Sequence, residues 1–117
     1  MTYTAEDIAK VIAKYPTLDA FGFNNRMRTS HPKEGIRPEA VQACAEWLLR
    51  VEGLARRKTI NRSRSSYTWK HMAERDQGIY VANGEFICAA LYLGYKMSRQ
   101  KGGPNAYFNI KNPPNER

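Results

Sequence analysis

The densest set of side chains able to bind an anion lies at residues 60–71 (INRSRSSYTWKH). This segment combines two arginines, a lysine, a histidine and three serines with two aromatic residues, and it contains no acid. Guanidinium groups match the oxygen atoms of a phosphate, and serine hydroxyls add short hydrogen bonds. The segment therefore predicts contact with a polyanion; the alternative is a solvated basic surface.

The positive charge of the chain is concentrated around this segment. The 117 residues have a net charge of +8, and residues 56–75 hold seven Lys/Arg against one acid. A basic patch on a nearly neutral body is typical of a protein that binds nucleic acid. The composition is that of an ordinary globular protein and argues against a disordered tail.

We expect duplex DNA or RNA to be bound through its phosphates by the loop and helix at 56–75 and by a hairpin at 95–111. The serines at 63–66 and Arg64 are expected to converge on one phosphate at a helix start, with Tyr67 stacking on a base or packing against a sugar. The alternative is that Ser65 or Ser66 only caps the helix and that Tyr67 lies in the core. The candidate binding residues are Arg56, Arg57, Lys58, Arg62, Ser63, Arg64, Ser65, Ser66, Tyr67, Lys70, His71, Arg75, Lys96, Arg99 and Lys101.

Apolar residues at helical spacing, together with capping residues, predict four helices. Their expected bounds are 5–15, 38 to between 53 and 57, 66–75, and 84–93 with Asn83 as N-cap. Strands are expected at 58–61, 95–99 and 106–111, the last two forming a hairpin. These elements predict a mainly helical α+β fold with one compact domain over 1–111 and a flexible tail at 112–117.

A helix pair followed by a basic hairpin resembles the winged helix-turn-helix over residues 66–111. Ala73 and Gly78 stand where that motif has its small residue and its turn glycine. Three segments of the chain are also similar to small uncharacterised proteins of phages and plasmids: SSYTWKHMAER, YVANGEFICAALYLGY and GGPNAYFNI. The resemblance implies a winged-helix-like fold and a mobile-element setting.

The second helix of the pair departs from that resemblance. In winged-helix proteins this helix lies in the major groove and reads base edges. The corresponding residues 84–93 are apolar on most sides, and Glu85 is their only charge. We therefore expect this helix to be buried and base readout to be weak.

The segment at 17–37 is expected to be irregular, with Phe21 and Phe23 anchoring it to the core. Its polar part forms a predicted exposed loop, rich in turn formers. Four residues of this loop either extend the phosphate-binding surface or are simply solvated: Arg26, Arg28, His31 and Lys33.

Cys44 and Cys88 each lie within an apolar helical pattern, which predicts two buried free thiols. A metal site would have to gather both thiols with His31 and His71, and no CxxC or HxxxH pair is present to begin one. No metal and no cofactor are therefore predicted.

Catalysis has less support in the sequence than binding. Paired carboxylates are missing, and no catalytic residue is predicted; the alternative is a metal-independent ribonuclease that uses His71. Another alternative is an inhibitor, like an anti-CRISPR protein, that binds a host complex handling nucleic acid. No signal peptide and no membrane-spanning run are recognised, so we expect a cytoplasmic protein.

Overall fold

The computed structural model describes residues 5–23, 36–50 and 56–112. Within them the chain forms four helices and two small antiparallel sheets, which confirms the predicted mainly helical α+β class with a C-terminal hairpin. In that part of the chain no helix has the length and apolar character needed to cross a bilayer. The elements are α1 (Ala5–Lys14), β1 (Leu18–Asp19), β2 (Gly22–Phe23), α2 (Pro38–Arg50), β3 (Arg56–Asn61), α3 (Ser66–Gln77), α4 (Asn83–Tyr92), β4 (Met97–Arg99) and β5 (Ala106–Ile110).

The core is built around α4, which packs against the other three helices. Residues 83–90 of α4 are all buried, as the apolar composition of that helix predicts. Four aromatic rings join α2, α3, α4 and β5 through pairs whose centroids are 6.2 to 6.4 Å apart. These rings belong to Trp47, Trp69, Phe86 and Phe108, so Trp69 is a core residue.

The larger sheet has the strand order β3-β5-β4, and both pairings are antiparallel. Ala106, Phe108 and Ile110 of β5 are fully buried against the helices. Because side chains alternate along a strand, Tyr107 and Asn109 lie on the opposite side, which we call the outer side of the sheet. The helices thus cover one side of this sheet.

The sequence left the end of the second helix open between residues 53 and 57, and the structure contradicts the later end point. Helix α2 is described to Arg50, and residues 51–55 lie outside the described residues. Strand β3 begins at Arg56, which pairs with Ile110, so the helix does not continue to Arg57.

The start of α4 also differs from the expectation. Asn83 is its first residue, and Ala82 occupies the N-cap position. The side-chain amide of Asn83 donates instead to the carbonyl oxygen of Phe21 at 3.0 Å and to Asn105 Oδ1 at 2.9 Å. Asn83 therefore does not cap the helix as predicted, because its side chain bonds to residues from other elements.

The N-terminal segment expected to be irregular contains the two-residue ladder β1–β2. Phe23 is buried, as predicted, but the prediction is wrong for Phe21, whose residue is 82 % exposed. Phe21 lies in the turn between the two strands, where its side chain is directed away from the core.

A fully buried carboxylate, that of Glu85, fixes the start of α4. Its Oε2 accepts hydrogen bonds from the backbone N–H of Arg37 at 2.7 Å and from Arg37 Nε at 3.0 Å. Its Oε1 accepts from Arg37 Nη2 at 3.1 Å and from the N–H of Ala82 at 2.8 Å. The hydrogen bonds to Glu85 raise the pKa of Arg37. Four donors thus compensate a charge that water does not reach.

Replacing Glu85 with alanine is expected to lower the free energy of unfolding by about 3 kcal/mol, because Arg37 and the N–H of Ala82 lose their acceptor. Urea unfolding followed by tryptophan fluorescence measures this loss. The control is Glu46→Ala on the exposed side of α2, expected to change stability by about 0.5 kcal/mol or less. Equal losses in both variants would contradict a special role for the buried carboxylate.

Candidate nucleic-acid interface

The cations at residues 56–75 differ in whether an acid lies beside them. Lys70 Nζ is 3.5 Å from Glu74 Oε1, and Arg75 Nε is 3.5 Å from Asp76 Oδ1. Four other cations of this segment form no ion pair with any residue in the described ranges: Arg56, Arg57, Lys58 and Arg62. Within the described ranges, therefore, no acid neutralises the charge of these four residues.

Strand β3 carries a bulge that displaces its middle residues from the ladder. Arg56 pairs with Ile110 and Asn61 pairs with Phe108, so β3 advances five residues while β5 advances two. The extra residues have no opposite partner on β5, and such bulges redirect side chains at sheet edges. The exposed residues of the bulge are Arg57, Lys58 and Thr59.

The side chain of Asn109 on the outer side of the sheet holds this bulge in place. Asn109 Nδ2 donates to the carbonyl oxygen of Arg57 at 2.9 Å, and Asn109 Oδ1 accepts from the N–H of Lys96 at 2.8 Å. Lys96 Nζ in turn donates to the carbonyl oxygen of Lys58 at 3.3 Å. The bulge is thereby attached to the C-terminal hairpin.

Arg62 adds a further cation to the same side of the sheet. Its Nη2 donates to Ser98 Oγ at 3.1 Å, and its guanidinium carbon is 5.4 Å from the ring centroid of Tyr107. The side chain thus runs from the end of β3 across β5 to β4. We call the residues that meet around the bulge and the outer side of the sheet the basic face: Arg57, Lys58, Arg62, Lys96, Ser98 and Tyr107.

Arg56, at the other end of β3, has a structural role. Its guanidinium donates to the carbonyl oxygens of Leu93 at 2.6 Å and of Gly94 at 3.2 Å. It also lies 4.3 Å from the ring centroid of Tyr95. A cation at these carbonyls stabilises the C-terminal end of α4.

The serines of the loop before α3 do not converge on a common point. Ser63 donates from its N–H and its Oγ to Asn61 Oδ1, at 3.0 and 2.7 Å. Ser66 is fully buried, and its Oγ accepts from the N–H of Ala106 at 3.0 Å. Ser65 stands at the N-cap position of α3 without a side-chain capping bond. The expected phosphate site of clustered hydroxyls is therefore not formed, because Ser63 bonds to Asn61 at the end of β3 and Ser66 bonds to Ala106 in β5.

The two loop arginines also diverge. Arg62 lies on the basic face, whereas the guanidinium carbon of Arg64 lies 5.4 Å from the ring centroid of Trp69. Arg64 Nη1 contacts Met72 Sδ at 3.5 Å. The structure therefore places Arg64 against α3, apart from the cations around the bulge.

Lys70 is not available on the surface, although it was expected to contact a ligand. The residue is 5 % exposed, and its Nζ lies 5.2 Å from the ring centroid of Tyr67 and 5.1 Å from that of Tyr80. A long lysine stem can fold over apolar rings while its charge meets Glu74. Tyr67 itself is half exposed, and its ring is perpendicular to that of His71, with the centroids 4.5 Å apart.

The exposed side of α3 carries acids beside its cations. His71 Nδ1 is 2.9 Å from Glu74 Oε2, and Glu74 Oε1 accepts from the N–H of Val81 at 3.0 Å. Burial acts to raise the pKa of Glu74, but the hydrogen bonds from Val81 and His71 and the charge of Lys70 outweigh it, and the pKa is lowered. This carboxylate remains charged and reduces the positive potential of α3.

Helix α4 is closed off from a ligand at its N-terminal end. The N–H of Gly84 donates to the carbonyl oxygen of Ala20 at 2.9 Å. The N–H of Phe23 donates to the carbonyl oxygen of Pro104 at 2.8 Å. A Cβ at Gly84 would lie 1.7 Å from the carbonyl oxygen of Asp19. The turn between β1 and β2 therefore covers the helix end that a groove-binding helix would present.

Two of the candidate binding residues, Arg99 and Lys101, lie near the β1–β2 turn. The guanidinium carbon of Arg99 is 4.5 Å from the ring centroid of Phe23, and Lys101 is exposed in the hairpin turn. The basic loop with Arg26, Arg28, His31 and Lys33 lies outside the described residues, as do residues 113–117 of the tail.

Cys44 and Cys88 are free and buried, as predicted. Burial raises the pKa of both thiols, that of Cys88 to about 12. Thiols in this state are unreactive. Within the described ranges, no three histidine, cysteine, aspartate or glutamate residues are grouped as a metal ion would require.

Sequence reasoning missed three residues that shape the basic face. Tyr107, Ser98 and Asn109 have neutral side chains, so a search for charge does not select them. The alternation along AYFNI in β5 could have placed Tyr107 and Asn109 on the side opposite the core. The bulge itself has no signal in the sequence.

No known protein family, curated protein or solved structure matches this chain.

Replacing Gly84 with alanine is expected to destabilise the protein, although alanine is the better helix former by about 1 kcal/mol. The added Cβ collides with the backbone of Asp19, so the β1–β2 turn must move away from α4. Thermal unfolding of the variant measures the effect. An increase in melting temperature would contradict a close steric contact between the β1–β2 turn and α4.

Proposed function

We propose that this protein binds nucleic acid by contacting phosphates through the basic face. The observation that carries the proposal is that Arg62 reaches Ser98 across the outer side of the sheet, and that the bulge attached there through Asn109 and Lys96 carries the exposed residues Arg57 and Lys58. None of the four has an ion-pair partner within the described ranges. Unpaired cations at a rigid surface release counterions when they meet a polyanion, and this release favours binding.

The chemistry of the basic face suits phosphate better than base edges. Arg62 is held by Ser98 and Tyr107, so its guanidinium is already ordered before a ligand arrives. Ordering a long side chain in advance reduces the entropy lost on binding. Phosphate contacts position a protein on nucleic acid but do not distinguish sequences. Low sequence selectivity is therefore part of the proposal.

The order of elements supports a winged-helix-like arrangement. From α2 onward the chain runs helix, strand, helix, helix and hairpin, and the first of these strands pairs with the last. The enclosure of α4 argues against groove reading by that helix. The proposed binding surface is accordingly the outer side of the sheet, which the sequence resemblance did not indicate.

Binding to a labelled duplex is expected to weaken steeply with salt, with a slope of log K against log salt near −3.6 for about four phosphate contacts. The double variant Lys58→Gln/Lys96→Gln is expected to make that slope shallower by about 1.8. Fluorescence anisotropy over a salt series measures both values.

The matched control is Lys10→Gln/Lys14→Gln, which removes the same charge from exposed positions of α1. Its slope is expected to stay close to that of the original protein. Equal changes in the two double variants would assign binding to overall charge and overturn the basic face. Absence of salt-dependent binding by the original protein would overturn the proposed function itself.

We infer a second candidate function, a metal-independent ribonuclease activity at His71, from one observation. Glu74 lies 2.9 Å from His71 Nδ1 and can orient the imidazole as a general base. The sequence had suggested no such partner.

Incubation with end-labelled RNA tests this candidate. Cleavage by the original protein and its loss in His71→Ala would support it, with Arg75→Ala on the same exposed side of α3 as the control that retains cleavage. Intact RNA in both samples, or cleavage that survives the loss of His71, would contradict it.

A further inference from the structure

Phe21 places an apolar ring in solvent at a position where the backbone is firmly held. At 82 % exposure it is the most exposed large apolar residue within the described ranges. Single exposed apolar residues are common on protein surfaces and by themselves need no explanation. The turn that carries Phe21 is different, because neighbouring elements fix it from several sides.

Four hydrogen bonds fix this turn. The N–H of Phe21 donates to Asp19 Oδ1 at 2.9 Å, and its carbonyl oxygen accepts from Asn83 Nδ2 at 3.0 Å. The carbonyl oxygen of Ala20 accepts from the N–H of Gly84, and the N–H of Phe23 donates to the hairpin loop. The backbone that carries the ring of Phe21 is therefore held in place.

A close approach between the turn and the hairpin loop makes the arrangement still more rigid. Gly22 has a φ of +116°, and a Cβ on it would lie 2.3 Å from the carbonyl oxygen of Pro104. Only glycine fits there, because the conformation and the space both exclude a side chain. The turn and the loop at 100–105 thus form one surface.

Two cations lie on the elements that form this surface. Lys101 is exposed in the same loop as Pro104, and the guanidinium of Arg99 lies against Phe23, two residues from Phe21. An acid also lies at this turn, since Asp19 Oδ1 accepts from the N–H of Phe21. An exposed aromatic ring beside positive charge matches the surface that proteins use for nucleobases, where bases stack on rings and phosphates meet cations.

We propose that Phe21 stacks on a nucleobase and gives this protein a preference for nucleic acid with an accessible base. This inference rests on the proposed function and deepens it, since the basic face binds phosphates without regard to base pairing. The accessible base is either unpaired in the ligand or separated from its neighbour when the ring enters a base step. Both cases use the same contact, that of a phenyl ring with a base.

Three labelled ligands separate these cases: a duplex, the same duplex with one unpaired base, and the corresponding single strand. Phe21→Ala is expected to weaken binding to the ligands with unpaired bases by about 5- to 150-fold, which is the usual effect of removing one stacking ring. An equal loss on the intact duplex would identify entry into a base step as the source. A loss confined to the other two ligands would identify unpaired bases.

Two further substitutions separate stacking from simple hydrophobic contact. Phe21→Trp keeps an aromatic surface and is expected to bind as the original protein does, whereas Phe21→Leu is expected to behave like Phe21→Ala. Leu49→Ala is the control, because Leu49 is also an exposed apolar residue, at 65 %, on α2. Melting temperatures of the Phe21 variants should match that of the original protein, since the ring is not buried.

Failure of this inference is distinguishable from failure of the proposed function. If Phe21→Ala or Phe21→Leu binds all three ligands as the original protein does, stacking is overturned while phosphate binding by the basic face stands. If the original protein binds none of the ligands, both are overturned.

Discussion

The buried carboxylate of Glu85 is the constraint on which the arrangement around α4 depends. A charge out of contact with water must be matched by donors, and Arg37 and the N–H of Ala82 supply them. This requirement brings the start of α2 to the start of α4. The apolar remainder of α4 can then pack against three helices, and the aromatic rings around Phe86 complete the core.

Enclosure of α4 determines which surfaces remain for a ligand. Gly84 lets the β1–β2 turn approach the helix so closely that its N-terminal end is occupied by the chain's own backbone. On α3, Glu74 and Asp76 accompany the cations, and Lys70 is folded between two tyrosine rings. By contrast, the cations on the outer side of the sheet form no ion pair with any acid in the described part of the chain. The positive charge of one sequence segment is thus divided between two structurally different surfaces.

The candidate site could be predicted in part from the sequence. The charge count named Arg57, Arg62 and Lys96 as candidate binding residues, and all three are exposed, because a charged side chain without a buried partner stays in water. Spacing along the chain did not separate Arg62 from Arg64, which are two residues apart and lie against different elements. It also gave no indication of the bulge, since a bulge arises from the register between β3 and β5.

By itself, the sequence determined the fold class and the burial of α4, because apolar residues at helical spacing must be removed from water. It also determined that an excess of positive charge must remain on the surface. Tertiary structure alone decided that Ser66 and Lys70 are withdrawn from solvent and that Phe21 is not. These outcomes depend on partners distant along the chain, such as Ala106 for Ser66 and Asn83 for the turn at Phe21. Local spacing does not encode such partners, because they come together only when the elements pack.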